Sequence, residues 1–182
     1  MLGWYIFVIF TVVPQVLAVH TVTELDVKKY LGRWYQMYAS ESVMVTFERW
    51  SRVRHRGLRS QRQRTNGDVR GELNVIRGYA QPTNVTGQLM VHLNGVRFVA
   101  PYWVFKLGPE TYGPDGLYQY SLITDNLDAT LFVLARDVNT FRTEYQQEVQ
   151  DFLKQEGFTK FYNMPVATVQ TSDCKYGPPP PQ

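Results

Sequence analysis

The sequence predicts an all-β protein: short antiparallel strands in a meander that closes into a barrel or a sandwich, with one amphipathic helix laid on the outside. Three observations carry this. Apolar or alternating runs of about five to eight residues recur between Trp34 and Ala135. Clusters of Gly, Pro, Asn and Asp separate them. A single helical periodicity appears only later, from Thr143 to Glu156.

The chain has 182 residues, enough for one well-cored domain, and no low-complexity linker divides it. Its composition, 44% hydrophobic and 14% aromatic, is globular, and the aromatics suit strands and apolar pockets. Residues 1–18 read as a secretory signal peptide. Leu2 to Ala18 is uncharged and apolar, contains Pro14, and ends in Val16-Leu17-Ala18, residues of the kind a signal peptidase accepts. The run is shorter than the ~20 residues a membrane span needs, and no basic stop-transfer cluster follows at once. The domain is therefore expected at 19–174, followed by a proline-rich tail at 175–182 with no core role.

The expected strands are Trp34–Ala39, Leu73–Gln81, Gln88–Leu93, Tyr102–Leu107, Tyr118–Ile123 and Thr130–Ala135. Within Gln88–Leu93, alternation sets Leu89, Val91 and Leu93 on one face and Met90 and His92 on the other. In the helix, Tyr145, Val149, Phe152 and Leu153 share a face, Thr143 with Gln146 offers a capping box, and Gly157 suits the left-handed position after the end. A lone helix after a meander must cover the outer side of the sheet, so the strands beneath it should be apolar on both faces, as Tyr118–Ile123 and Leu131–Ala135 are. Met164–Val169 reads as an extended tail.

Charge is uneven. Residues 49–70 hold eight arginines against Asp68 alone, a local +7, so the remainder carries −4 and the chain totals +3. Such a segment can bind phosphates or an anionic membrane surface, which is the alternative reading of function; retention on anionic vesicles would then collapse at high salt. Asn84-Val85-Thr86 is an N-glycosylation triplet. Cys174 is the only cysteine, so no intrachain disulfide can form, and an exposed thiol there would be open to intermolecular pairing. Catalytic chemistry has little support: Cys174 has no histidine close in sequence, and His20, His55 and His92 suggest no triad. No Cys/His metal spacing and no Gly-rich phosphate loop occur, so neither metal, cofactor nor nucleic-acid partner is expected.

The segments YLGRWYQMYAS, TFER at 46–49, IRGYAQPTNVT at 76–86, APYWVFKL at 100–107, YQYSLI at 118–123, LFVLARD at 131–137 and the closing TSDC at 171–174 resemble the lipocalin family. The resemblance implies an eight-stranded up-and-down antiparallel barrel with the helix outside, in which the strand pair around 50–72 is the doubtful part. It implies that Trp34 plugs the closed end, that Arg136 stacks across its indole, and that Gly32 allows the close approach. It places Leu89, Val91, Leu93, Tyr102 and Phe132 on the pocket lining. The function it implies is a secreted, extracellular carrier of a lipid, steroid, fatty acid, retinoid or bilin, with a lipoprotein or membrane surface as a further partner. Two departures stand out. Leu107-Gly108-Pro109-Glu110 and a longer loop to Leu117 replace the family's usual turn and leave open how the closed end is hydrogen-bonded. The family's cysteine partner for Cys174 would fall near Trp50 to Val53, inside the arginine-rich segment, as a shifted reading frame or misjoined exon over residues 50–70 would produce. Sequencing the transcript tests that origin.

Overall fold

The computed structural model of the chain describes residues 19–43, 77–174 and 176. The expected signal peptide, the arginine-rich segment, the strand pair around 50–72 and nearly all of the tail lie outside the described residues.

A short helix, α1 (Val27–Tyr30), precedes the strands; Asp26 caps it by accepting from the amides of Lys28 at 2.8 Å and Lys29 at 3.3 Å. The strands are β1 (Tyr35–Ser40), β2 (Gly78–Pro82), β3 (Gln88–Leu93), β4 (Ala100–Leu107), β5 (Glu110–Tyr112), β6 (Leu117–Tyr118), β7 (Tyr120–Thr124), β8 (Leu131–Ala135) and β9 (Pro165–Ala167). Seven of them form one antiparallel sheet in the order β2-β3-β4-β7-β8-β1-β9, and β5 with β6 forms a separate hairpin. Residues 44–76, between β1 and β2, lie outside the described residues.

Register decides which side chains share a face. Leu89 lies opposite Tyr102, Val104 opposite Ile123, Ile123 opposite Phe132, and Phe132 opposite Ala39. These residues therefore make one continuous inner face across five strands. The other face carries Leu122, Val133 and Tyr38 in one row and Tyr120 with Ala135 in the next. Bulges in β1 after Gln36 and in β4 after Val104 keep both rows aligned by re-aiming the residues that follow.

The outer face is covered by a helical segment made of α2 (Val138–Thr140), a π-helical turn (Phe141–Tyr145) and α3 (Gln146–Gln155). Val149, Leu153 and Phe141 are buried in it, together with Phe105, Leu122, Val133 and Phe158 of the underlying layer. Phe105 stacks on Phe158 at 5.3 Å and Phe152 at 6.1 Å. The expectation of strands apolar on both faces holds: every residue of β7 is buried, and β8 alternates between buried and half-buried positions. At the edge of this layer, Glu148 accepts from the Tyr120 hydroxyl at 2.9 Å and pairs with Lys106 at 3.1 Å. Burial opposes the Glu148 charge, and the bonds from Lys106 and Tyr120 outweigh it and lower its pKa.

The helix begins earlier than its periodicity indicates. Asp137, not Thr143, is the cap: its carboxylate accepts from the Thr140 amide at 2.7 Å. The Thr143 hydroxyl instead turns back to the carbonyls of Asn139 and Thr140. Gly157 does end the segment in the left-handed region, at φ 83°. The Thr140 amide holds the Asp137 carboxyl below its ordinary value of 3.8. Asp137→Ala is expected to cost about 1 kcal/mol at neutral pH. A folded pKa depressed below the unfolded one contributes stability above the unfolded value and loses it as pH falls through the folded value. The gap between parent and variant in urea unfolding should therefore shrink between pH 7 and pH 3.

Candidate functional site: a clasped floor beneath an apolar inner face

At one end of the sheet, residues from the two ends of the domain pack against each other. The Arg136 guanidinium lies 3.7 Å from the centre of the Trp34 ring. Its Nη1 donates to the Arg33 carbonyl at 2.8 Å, and Nη2 lies within 2.8–3.0 Å of the carbonyls of Lys29, Tyr30 and Leu31. Arg136 is buried, with 3% of its surface exposed, and its Nε has no hydrogen-bond partner. Burial lowers its pKa, with Tyr112 and Tyr30 acting in the opposite sense. The Trp34 indole N–H donates to the same Tyr30 carbonyl at 2.8 Å. Gly32 turns the chain at φ 102°, and a Cβ there would stand 3.0 Å from Arg136 Nη1. Gly32, Trp34 and Arg136 thus lie together.

The long loop after β4 supplies the hydrogen bonds that the departure from the family pattern left open. Gly108 donates to the Tyr120 carbonyl at 2.8 Å, Gln119 to Pro109 at 3.0 Å, and the Arg136 amide to Gln119 at 3.0 Å. The β5–β6 hairpin also reaches the N-terminal segment: Tyr118 accepts from the Asp26 amide at 3.1 Å, and Glu110 pairs with Lys29. That ion pair raises the Lys29 pKa through its hydrogen bond.

Above this floor the inner face is apolar. Leu89, Val91, Leu93, Tyr102, Phe132 and Leu134 are half-buried and Val104, Ile123 and Ala39 on the same face are buried, whereas Leu131, Val133 and Ala135 on the opposite face of β8 are buried under the helix. Three hydroxyls meet on the inner face. Tyr30 reaches in from α1 and bonds Tyr102 at 2.8 Å and Ser121 at 2.9 Å. Burial pushes the phenols of Tyr30 and Tyr102 upward, Tyr102 well above the ordinary value, so both stay protonated. Three hydroxyls carry three protons and share two bonds, which leaves one O–H available to a further acceptor. Sequence reasoning had placed Tyr102 here and missed Tyr30 and Ser121. Tyr30 sits directly before Leu-Gly-Arg-Trp, but nothing in its spacing shows that it points inward.

Asn84 is exposed in the turn between β2 and β3. Cys174 is half-buried and unpaired; hydrogen bonds from Thr171 lower its pKa. Among the described residues no group of three His, Cys, Asp or Glu could hold a metal ion, and no helix is long and apolar enough to cross a membrane.

A family model described as a lipocalin-like domain matches residues 25–165. The chain is 31% identical over 96 residues to apolipoprotein D of Rattus norvegicus, 48% of each chain. It is 33% identical over 99 residues to apolipoprotein D of Oryctolagus cuniculus, again 48% of each. The aligned region spans about half the length of the curated relatives it matches. With its antiparallel meander, outer helix and Trp–Arg floor inside the matched residues, the chain belongs to the lipocalin family.

Proposed function

We propose that this protein is a secreted carrier that holds one small, uncharged, hydrophobic molecule against the inner face of the sheet. The observation that supports this reading is a contrast between the two faces: Leu131, Val133 and Ala135 are sealed under the helix, whereas Leu89, Tyr102, Phe132 and Leu134 on the inner face keep accessible surface beside the buried Val104 and Ile123. Burying a ligand there would contribute roughly 25 cal/mol per Å² of apolar surface covered. The hydroxyl trio supplies a polar anchor on that face; Gln36 stands in the same face but is bonded to Thr168. The trio suits a ligand with one carbonyl or hydroxyl oxygen, such as a ketosteroid or retinoid. Residues 1–18 act as a leader removed on secretion, Asn84 is a glycosylation site, and the Trp34–Arg136 floor closes the carrier's lower end. The relatives are named as apolipoproteins, which accords with a lipid cargo.

The test is a titration of the secreted protein, followed by tryptophan quenching, with a ketosteroid and with the same ring system lacking oxygen. Both should bind, the ketone by roughly five- to tenfold more tightly, the worth of one net hydrogen bond. Failure of either to quench, with failure of retinol and a fatty alcohol to compete for the site, would remove the carrier reading.

A further inference from the structure

We propose that the mature chain begins at Val19 and that its new α-ammonium group docks on the carboxylate of Asp128, locking the N-terminal segment to the turn between β7 and β8. Val19 is 8% exposed and belongs to the core layer beneath the helix, an unusual depth for a residue beside a removable leader. Its backbone nitrogen donates to Asp128 Oδ2 at 3.1 Å across 109 positions of sequence. The other oxygen, Oδ1, is buried with no hydrogen-bond partner.

Asp128 is partly buried in the turn between β7 and β8. Its backbone is left-handed, at φ 51°, and its carbonyl accepts from Asn163 Nδ2 at 2.9 Å. The neighbouring Asp125 already accepts from the amides of Leu127 and Ala129, so it braces the turn. Asp125 repels the Asp128 charge and Lys160 attracts it; burial is the larger influence and raises the Asp128 pKa. A carboxylate with one neutral amide donor and one orphaned oxygen is short of partners. An ammonium at the same nitrogen brings two additional N–H donors and a positive charge to that place.

Sequence supplies the step that would create it. Val16-Leu17-Ala18 ends the apolar run directly before Val19, and hydrolysis of the Ala18–Val19 bond consumes one water. The hydroxyl goes to the Ala18 carboxyl and a proton to the Val19 nitrogen, which takes up a second proton from solvent to become the ammonium. The inference rests on leader removal, which the carrier reading shares, but not on any ligand.

Edman sequencing or intact mass of the protein secreted from eukaryotic cells should give Val19 as the first residue; a different first residue would overturn the proposal. A brief pulse of an amine-acylating reagent, with no ligand present, should then label the Val19 amine about tenfold more slowly than the terminal amine of a chain with one extra alanine ahead of Val19. Equal rates in the two folded chains would also overturn it. Asp128→Asn should abolish the protection in the chain that starts at Val19; should that variant not fold, the comparison of the two starts in the parent background decides alone. Ligand titration of the same preparations reads the carrier function separately, so either reading can fail without the other.

Discussion

Arg136→Ala is expected to lower the unfolding free energy by about 4 kcal/mol, on the scale set by loss of a buried, hydrogen-bonded charge. The substitution removes the stacking on Trp34 and the guanidinium bonds to the carbonyls of Arg33, Lys29, Tyr30 and Leu31. The cation–π contact contributes about 1–2 kcal/mol where desolvated. Carbonyls stripped of a charged donor account for the larger part. Arg136→Lys should recover little: an ammonium carries the charge but lacks the flat face for the indole and the fork that reaches two sets of carbonyls. Equilibrium urea unfolding of parent, Arg136→Ala and Arg136→Lys checks this. A lysine variant as stable as the parent would show that charge alone holds the floor.

A second large effect separates the two faces of one sheet. Leu153→Ala should cost about 2–5 kcal/mol, because Leu153 is fully buried against the outer layer and the helix cannot collapse onto the space. Leu89→Ala removes the same atoms from the half-buried inner face, where accessible surface already exists, and should cost below about 1 kcal/mol. The order reverses for binding: Leu89→Ala should weaken ketosteroid affinity severalfold, and Leu153→Ala should leave it near the parent value while the protein stays folded. Urea unfolding and tryptophan quenching on the same two variants give the four numbers. Equal losses of stability would mean that the inner face is packed as tightly as the outer one.

Local pattern carried some elements and failed on others for identifiable reasons. Gln88–Leu93 was legible with its bounds because a clean alternation lies between two strong breakers. The apolar face of the helix was legible too, but its start was not. A π-helical turn shifts the phase of the side chains ahead of Gln146, and Asp137 lies beyond the reach of the periodicity. Tyr118–Ile123 reads as one strand because every side chain suits one, yet Gln119 leaves the ladder to bond Pro109 and Arg136 and divides it into β6 and β7. Met164–Val169 reads as extended, and only the fold brings its central residues beside β1. The family resemblance singled out Trp34 and Arg136, which the fold brings into contact. The hydroxyl trio was out of reach of both approaches: Tyr30 meets partners 72 and 91 positions away, and no local rule encodes such a meeting.

Tyr30 belongs to two structures at once. Its carbonyl is gripped by Trp34 and Arg136, and its hydroxyl joins those of Tyr102 and Ser121, where the proposed guest would find a hydrogen-bond donor. On the carrier reading, occupancy and thermal endurance would be coupled through a single side chain. A guest that fastens the hydroxyl end restrains the helical turn whose other side anchors the base, and slackening the base frees the hub to wander. By reciprocity, whatever tightening the guest gives the base, an intact base returns to the guest in equal measure.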